Sequence, residues 1–517
     1  MTRDEHTTMP RRVRALAGSV AGLLAALVAL GTAELAAALV RPQASPVIAV
    51  GGSVIDATPA WLKNFAIRTF GTNDKPVLIG SILAVLVLLS LVTGALAVRR
   101  RPVGLAGVAV LGLVGAAAAA TRPEAQLLDP LPSVVGAVVG SLALVLLLRP
   151  LDDSEPAQPL PDDQRRRLLV GGLAAAAAGI AAGSVGRLVN GRRTDVAAAR
   201  SRVRLPAPAD PAAPLPRGTD LKLSGLSSFT TPNDDFYRVD TALIVPQVSV
   251  DDWRLRVHGM VEREIELDFG QLLERDLVER DITLTCVSNE VGGRYAGSAR
   301  WLGASLADLL DEAGVDPESD MLLSKSVDGM TISTPTAAVM DGRDALLAVG
   351  MNGEPLPATH GFPVRMVVPG LYGYVSATKW LVDLELTRFA DKQAYWTERG
   401  WAEKAPIKTM SRIDTPKPFA KLPAGRVAVA GVAWAQHRGI AKVEVRVDEG
   451  SWQQARLAEV PSIDTWRQWV WQWDARPGSH RLEVRATDAD GTTQTPKRAD
   501  PFPSGATGWH STVVTVG

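Results

Sequence analysis

The sequence has 517 residues and carries 55 lysines and arginines against 55 aspartates and glutamates. Such a balance creates no overall field to gather a polyanion, so nucleic acid is not an expected partner. One cysteine, Cys286, excludes an internal disulfide, a paired-cysteine zinc site, haem attachment through CxxCH and a cysteine-ligated iron–sulfur cluster.

A mean hydropathy of +0.09 is high for a purely soluble chain, and the excess lies near the front. Five apolar stretches occupy roughly 15–40, 77–98, 103–121, 131–149 and 168–189, each close to the ~20 residues a helix needs to cross a bilayer. They predict an all-α membrane anchor of five transmembrane helices over residues 1–190, with the lipid bilayer as partner. Arg11, Arg12 and Arg14 precede the first span, Arg99 to Arg101 separate the second and third, and Arg149 with Arg165 to Arg167 separate the fourth and fifth. Positive charge collects on the cytoplasmic side, so the N-terminus reads as cytoplasmic and everything after residue 190 as extracytoplasmic, in a multi-pass protein of the cell membrane. The longer loop at 41–76 holds Trp61 and Phe65, which suit a membrane interface. The run Asp163-Gln164-Arg165-Arg166-Arg167-Leu168-Leu169 fits either a twin-arginine export signal or a plain topology determinant.

Residues 191–220 form a Pro/Ala-rich linker whose prolines, Pro206 to Pro216, prevent a continuous helix and predict a semi-rigid tether. Ordinary globular sequence follows. Trp253 to Val257 alternates like a strand, and Ala304 to Ala313 has the spacing of a helix with one buried face. Cys286 sits where a strand-like run breaks into a loop containing Gly292 and Gly293. A thiolate is a soft metal ligand, and glycine lets backbone approach a bulky group; an inert buried thiol is the plainer alternative. Some seventy residues on, His360 to Gly370 is followed by Tyr372 to Trp380. Arg365 offers a planar fork for phosphate oxygens, Lys379 a point charge, and the glycine and Ser/Thr turn backbone N–H groups for an anion. After a Pro- and Lys-rich loop, Val427–Trp434, Lys442–Val447, Trp469–Trp473 and Arg481–Ala486 read as short strands of a β-sandwich.

Together these segments resemble the sulfite oxidase family of molybdopterin enzymes. The resemblance rests on Cys286 with Asn289 three residues on, Ala299-Arg300-Trp301-Leu302-Gly303, Met351 to Pro357 leading into His360 to Gly370, and Lys379-Trp380-Leu381. It implies an α+β molybdopterin-binding catalytic domain over 221–403 and an all-β, immunoglobulin-like sandwich of the dimerisation type over 404–517, which admits a homodimer. It further implies a molybdenum with a single molybdopterin, Cys286 as the metal ligand, and Cys286, Arg238 and Trp401 at the reacting end. Asn233, Phe236 and Tyr237 match the Asn-x-x-Phe-Tyr pterin contact of the periplasmic methionine-sulfoxide-reductase branch. Ser326, His360, Arg365, Ser376, Ala377, Thr378 and Lys379 complete the expected cofactor contacts.

Two departures bear on substrate. Animal members carry Arg-Asn-His after the Phe-Tyr pair, where this chain has Arg238-Val239-Asp240, and their active-site tyrosine aligns near Trp401. A neutral or organic small molecule is therefore expected rather than sulfite. None of the six histidines (His6, His258, His360, His437, His480 and His510) lies in a span, which leaves the anchor without bis-histidine haem. An external electron-transfer partner, a cytochrome or a membrane redox subunit, is expected instead. Two other readings stand beside this one: a thiol enzyme using Cys286 with His360 and Asn289, and a non-catalytic membrane-anchored binding or adhesion protein.

Overall fold

The computed structural model describes residues 11–59, 62, 65, 69–70, 74–122, 124–152, 162–193 and 196–517. Trp61 of the expected membrane interface lies outside them. The chain forms two compact units, one of residues 1–195 with Thr241–Val245, the other of Val196–Asp240 with Pro246–Gly517.

Among the described residues, four helices of the first unit are long and apolar enough to cross a membrane: Arg12–Val40, Lys75–Arg99, Arg101–Ala120 and Leu131–Arg149. The stretch expected as a fifth span lies on the helix Asp162–Arg193, but its apolar part, Val170–Gly186, is shorter than the four. Glycines set the packing. A Cβ on Gly31 would lie 2.1 Å from the Gly179 carbonyl oxygen, and one on Gly22 would lie 2.7 Å from the Gly94 Cα, so these helices meet backbone to backbone. The loop expected at 41–76 contains a helix, Pro46–Ala57. Its apolar run is too short to span, yet it buries Ala49, Gly51 and Gly52 inside the unit.

The second unit opens with a helix, Val196–Arg202, after which the proline-bearing segment lies against the domain. Ala209 N donates to Leu277 O at 2.8 Å, and Arg200 pairs with Glu354 at 2.7 Å. From residue 196 on, the expected tether is thus a docked strap: proline forbids a helix there but leaves backbone carbonyls and neighbouring side chains free to bond.

Ten strands follow: β1 (Arg254–Gly259), β2 (Ile265–Asp268), β3 (Leu277–Thr285), β4 (Ala296–Ser305), β5 (Met321–Ser326), β6 (Thr331–Pro335), β7 (Leu346–Met351), β8 (Glu354–Pro355), β9 (Arg365–Val367) and β10 (Leu381–Thr387). They make two sheets, β2-β1-β10-β5-β6 and β3-β4-β7-β8 with β9 also paired to β7. β3 is an edge strand of the second sheet, in antiparallel register with β4 from Leu277↔Ala304 to Thr285↔Ala296. The expected helix runs Leu306–Ala313. Ser305 caps it by accepting from Asp308 N at 3.1 Å, and Gly314 ends it in the left-handed region at φ 69°; such a side-chain cap contributes about 1 kcal/mol.

The remaining strands are β11 (Met410–Thr415), β12 (Lys421–Leu422), β13 (Gly425–Trp434), β14 (Ile440–Val447), β15 (Gln453–Gln454), β16 (Arg456–Leu457), β17 (Arg467–Ala475), β18 (Gly478–Asp488) and β19 (His510–Val516). They form the sheets β11-β13-β17-β16 and β12-β19-β18-β14-β15. Alternate residues of both sheets, among them Val429, Trp469, Val443, Val445, Leu482, Val484 and Val514, share one core.

Candidate active site

Three segments of the second unit converge. β3 ends at Thr285 and hands the chain to Cys286, which is 9% exposed; its N–H donates to Tyr295 O at 2.9 Å. Asn289 Oδ1 accepts from Tyr295 N at 2.8 Å, so Asn289 braces the loop from within. Burial pushes the Cys286 thiol up from its ordinary value, while hydrogen bonds from Ser288 and the charge of Lys379 pull the other way.

The second segment supplies the charges. Arg365 lies on β9, buried, with its guanidinium carbon 5.0 Å from the Trp301 ring centre. It donates to His360 O at 3.1 Å and Ala377 O at 3.4 Å. Burial lowers its pKa to about 10 and that of Lys379 to about 8, although Asp240 opposes the second shift. The third segment carries Asn233 to Asp240. His360 Nε2 donates to Asn233 O at 3.1 Å, and the Asn233 amide is itself fixed by Met351 O (3.3 Å) and Asn352 Nδ2 (2.8 Å). Phe236 packs edge-on to Trp301 and His360 and face-to-face with Tyr237 at 5.2 Å. It has room because residue 297 of β4 is glycine, where a Cβ would meet its ring at 2.8 Å.

Asp240 was not anticipated. Its side chain is 6% exposed and accepts from Lys379 Nζ at 2.6 Å and Arg238 Nε at 2.8 Å. Arg238 is thereby paired. Tyr372 was missed too: it is 3% exposed, burial pushes its phenol to about 12, and Cys286 contributes to that shift. Their signals were faint, a lone acid after an arginine and one tyrosine in a glycine turn. Trp401 lies in an aromatic cluster with Tyr374 (5.7 Å), Trp396 (6.1 Å) and Phe502 (5.3 Å). Ser376 Oγ donates to the carbonyls of Leu371 and Tyr372, and Thr378 Oγ1 bonds Ser324 Oγ at 2.6 Å. Those two hydroxyls therefore shape the turn around Ala377. Ser326 stands opposite Leu381 in register, beside the Lys379–Trp380 turn.

Arg238 and Lys379 share the Asp240 carboxylate, and Arg365 is a further positive neighbour of Lys379, so cations outnumber the one carboxylate here. Comparison with known proteins gives the class. Residues 242–396 match the family model of the oxidoreductase molybdopterin binding domain. The uncharacterized oxidoreductase YuiH of Bacillus subtilis is 31% identical over 149 residues, which cover 29% of this chain and 72% of YuiH. The chain belongs to the sulfite oxidase family of molybdopterin oxidoreductases. Mitochondrial sulfite oxidase of Drosophila melanogaster is 30% identical over 311 residues, covering 51% of this chain and 53% of the fly protein. The chain thus spans about half the length of the curated relatives it matches. In fold it resembles the crystal structure of the sulfane dehydrogenase SoxCD from Paracoccus pantotrophus, with a TM-score of 0.50 at 24% identity, covering 56% of this chain and 84% of that one.

The residues present fit the pterin cofactor that this family carries. Arg365 Nε and Ser326 Oγ are buried without a hydrogen-bond partner, an arrangement that native proteins rarely leave unless a ligand or water completes it.

His360 yields a pH prediction. Burial and the neighbouring Arg365 lower its pKa to about 4, so the ring is neutral at pH 7. Below pH 6.5 the unfolded chain takes up a proton at this ring that the folded chain refuses until about pH 4. Stability therefore falls as pH drops through that window, by about 1 kcal/mol per pH unit from this residue. Urea midpoints of the chain purified without cofactor, taken at pH 7 and pH 5, should show this loss, and His360→Gln should reduce it. An equal loss in the variant would assign the acid sensitivity elsewhere.

Proposed function

We propose that this chain is a membrane-anchored molybdopterin-dependent oxidoreductase that transfers an oxygen atom at an extracytoplasmic molybdenum centre ligated by Cys286. The buried cation cluster beside the only thiol, with Arg365 Nε lacking an acceptor, carries this reading. When bound, the molybdenum-pterin supplies two-electron oxygen-atom transfer. The protein's part is to hold and orient. Arg365, Lys379 and Ser326 would bind the pterin and its phosphate, and neutral His360, held through Nε2, would offer Nδ1 as an acceptor. Cys286 would ligate as thiolate, since a bound cation lowers a thiol's pKa against the effect of burial.

In this reading the anchor crosses the membrane five times. The close approach of Gly31 to Gly179 supports Asp162–Arg193 as a member of the bundle, and the arginine distribution supports a cytoplasmic N-terminus. The C-terminal sandwich is of immunoglobulin-like type. A neutral or organic substrate is favoured over sulfite because Arg238 is paired with Asp240 and Trp401 lies among aromatic rings. An external cytochrome or membrane redox subunit exchanges electrons with the centre, donating them when a sulfoxide is reduced; the centre holds one pterin, and the chain no haem. A thiol-nucleophile role is disfavoured, because burial raises the Cys286 pKa and both Asn289 and His360 Nε2 have structural partners.

Metal quantification on the full-length protein in detergent, together with pterin fluorescence after denaturation and oxidation, tests the proposal. About one molybdenum and one pterin per chain are expected, with sulfite turnover far below that of an organic sulfoxide. Absence of molybdenum and pterin from an active preparation would overturn it; efficient sulfite oxidation would overturn the substrate assignment alone.

A further inference from the structure

β3 is an edge strand, so the side not paired to β4 exposes backbone donors and acceptors that need partners. At Thr283, near the end that leads into Cys286, the partners come from the C-terminal β-rich region. Thr283 N donates to Asp464 O at 3.0 Å, Thr283 O accepts from Gln436 Nε2 at 2.9 Å, and Thr283 Oγ1 accepts from Trp466 N at 2.8 Å. The same Gln436 amide reaches Thr285 Oγ1 at 3.1 Å, one residue before the cysteine. Gln436, Thr283 and Thr285 are all at most 1% exposed.

The far end of the loop is held from the same region. Arg412 donates to Gly293 O at 2.6 Å while anchored on Asp414 at 2.6 Å. His510 lies where a Cβ on Gly292 would stand, 2.3 Å from its ring carbon, and Gly292 has φ 81°, so only glycine fits under that ring. Its Nδ1 accepts from Ile413 N at 3.0 Å, which fixes the ring to β11. Residues 283–293 are therefore pinned at both ends by side chains more than a hundred residues away, while Asn289 braces the middle.

We propose that the C-terminal β-rich region acts as a clamp on the cysteine loop, with Gln436 as the positioning residue that stands in for a neighbouring strand beside Thr283 and Thr285. The proposal rests on Cys286 being the metal ligand only for its catalytic consequence; the clamp itself is a property of the polypeptide. Each end of the loop has an independent hold, so loss of Gln436 loosens Cys286 without releasing the loop.

The test compares Gln436→Met and Gln436→Glu with a control, Gln468→Met, in the full-length protein. Gln468 is equally buried in the same region but bonds Leu221 N and Ser227 O, away from the cysteine. Hydrogen exchange should quicken about tenfold across residues 283–289 in the Gln436 variants, the loss expected from one or two buried hydrogen bonds. In the control it should quicken near 221–227 instead. In metal-loaded protein the Gln436 variants should shift the molybdenum spin-resonance signal and lower kcat with little change in KM, whereas the control should leave the signal unchanged. Wild-type exchange and signal in both Gln436 variants overturn the clamp, as does failure of both to fold while the control folds, which would make Gln436 a general core residue. If the wild-type protein holds no molybdenum, the cofactor reading fails and the exchange pattern alone decides the clamp.

Discussion

Cys286→Ser should abolish the molybdenum spin-resonance signal and lower turnover by more than about a hundredfold, beyond the 10–100-fold typical of losing a group behind a metal ligand. Serine has nearly the size of cysteine, and the Cys286 N–H bond to Tyr295 O does not depend on the side chain, so the loop should keep its path. What changes is ligand chemistry: a soft thiolate that a metal can deprotonate becomes a hard hydroxyl that stays protonated. Pterin should remain bound, since its proposed holders lie on β9, β5 and the turn before β10. Spin resonance, pterin fluorescence and kcat on one preparation separate ligation from cofactor retention. A variant with the wild-type signal would remove Cys286 from the metal.

Asp240→Asn should destabilise the second unit by about 3 kcal/mol, the typical result of removing one partner from a buried ion pair. Lys379 takes most of that loss, because its side chain is 11% exposed, whereas Arg238, at 31%, can turn toward water. With the carboxylate gone, Lys379 keeps Arg365 and Arg238 as like-charged neighbours. Thermal unfolding should show a fall of several degrees in Tm. Glu264→Gln is the control: it breaks a pair with Arg256 that is more than half exposed on both sides, and such pairs contribute about 1 kcal/mol or less. Equal effects of the two substitutions would mean that Asp240 is no more than a surface charge.

The cysteine loop and the 360–379 cluster were legible in the sequence because each is local: a thiol beside glycines, and a basic pair within a short glycine-bearing turn. Asp240 was not, since its meaning depends on Lys379, which lies 139 residues away along the chain. Gln436 escaped for the same reason, because an uncharged side chain in a strand-rich stretch says nothing of which distant edge it completes. Alternation did expose β13, β14, β17 and β18, whose inward residues share a single apolar face. Prolines misled in the 204–220 segment: they announce the absence of a helix, and whether such a chain swings free or lies on a surface depends on partners that its own residues do not reveal.

The cation cluster also bears on the lifetime of the polypeptide. Without a ligand, the folded chain keeps Asp240 paired with Lys379 and Arg238, Arg365 as a further positive neighbour of Lys379, and a guanidinium nitrogen of Arg365 unsatisfied. A ligand that binds only the native state stabilises it by mass action, about 4 kcal/mol when present at a thousand times its dissociation constant. On the proposed reading, cofactor supply would set protein abundance as well as activity. Cells starved of molybdopterin are expected to lose this chain to proteolysis instead of storing it as an inactive reserve.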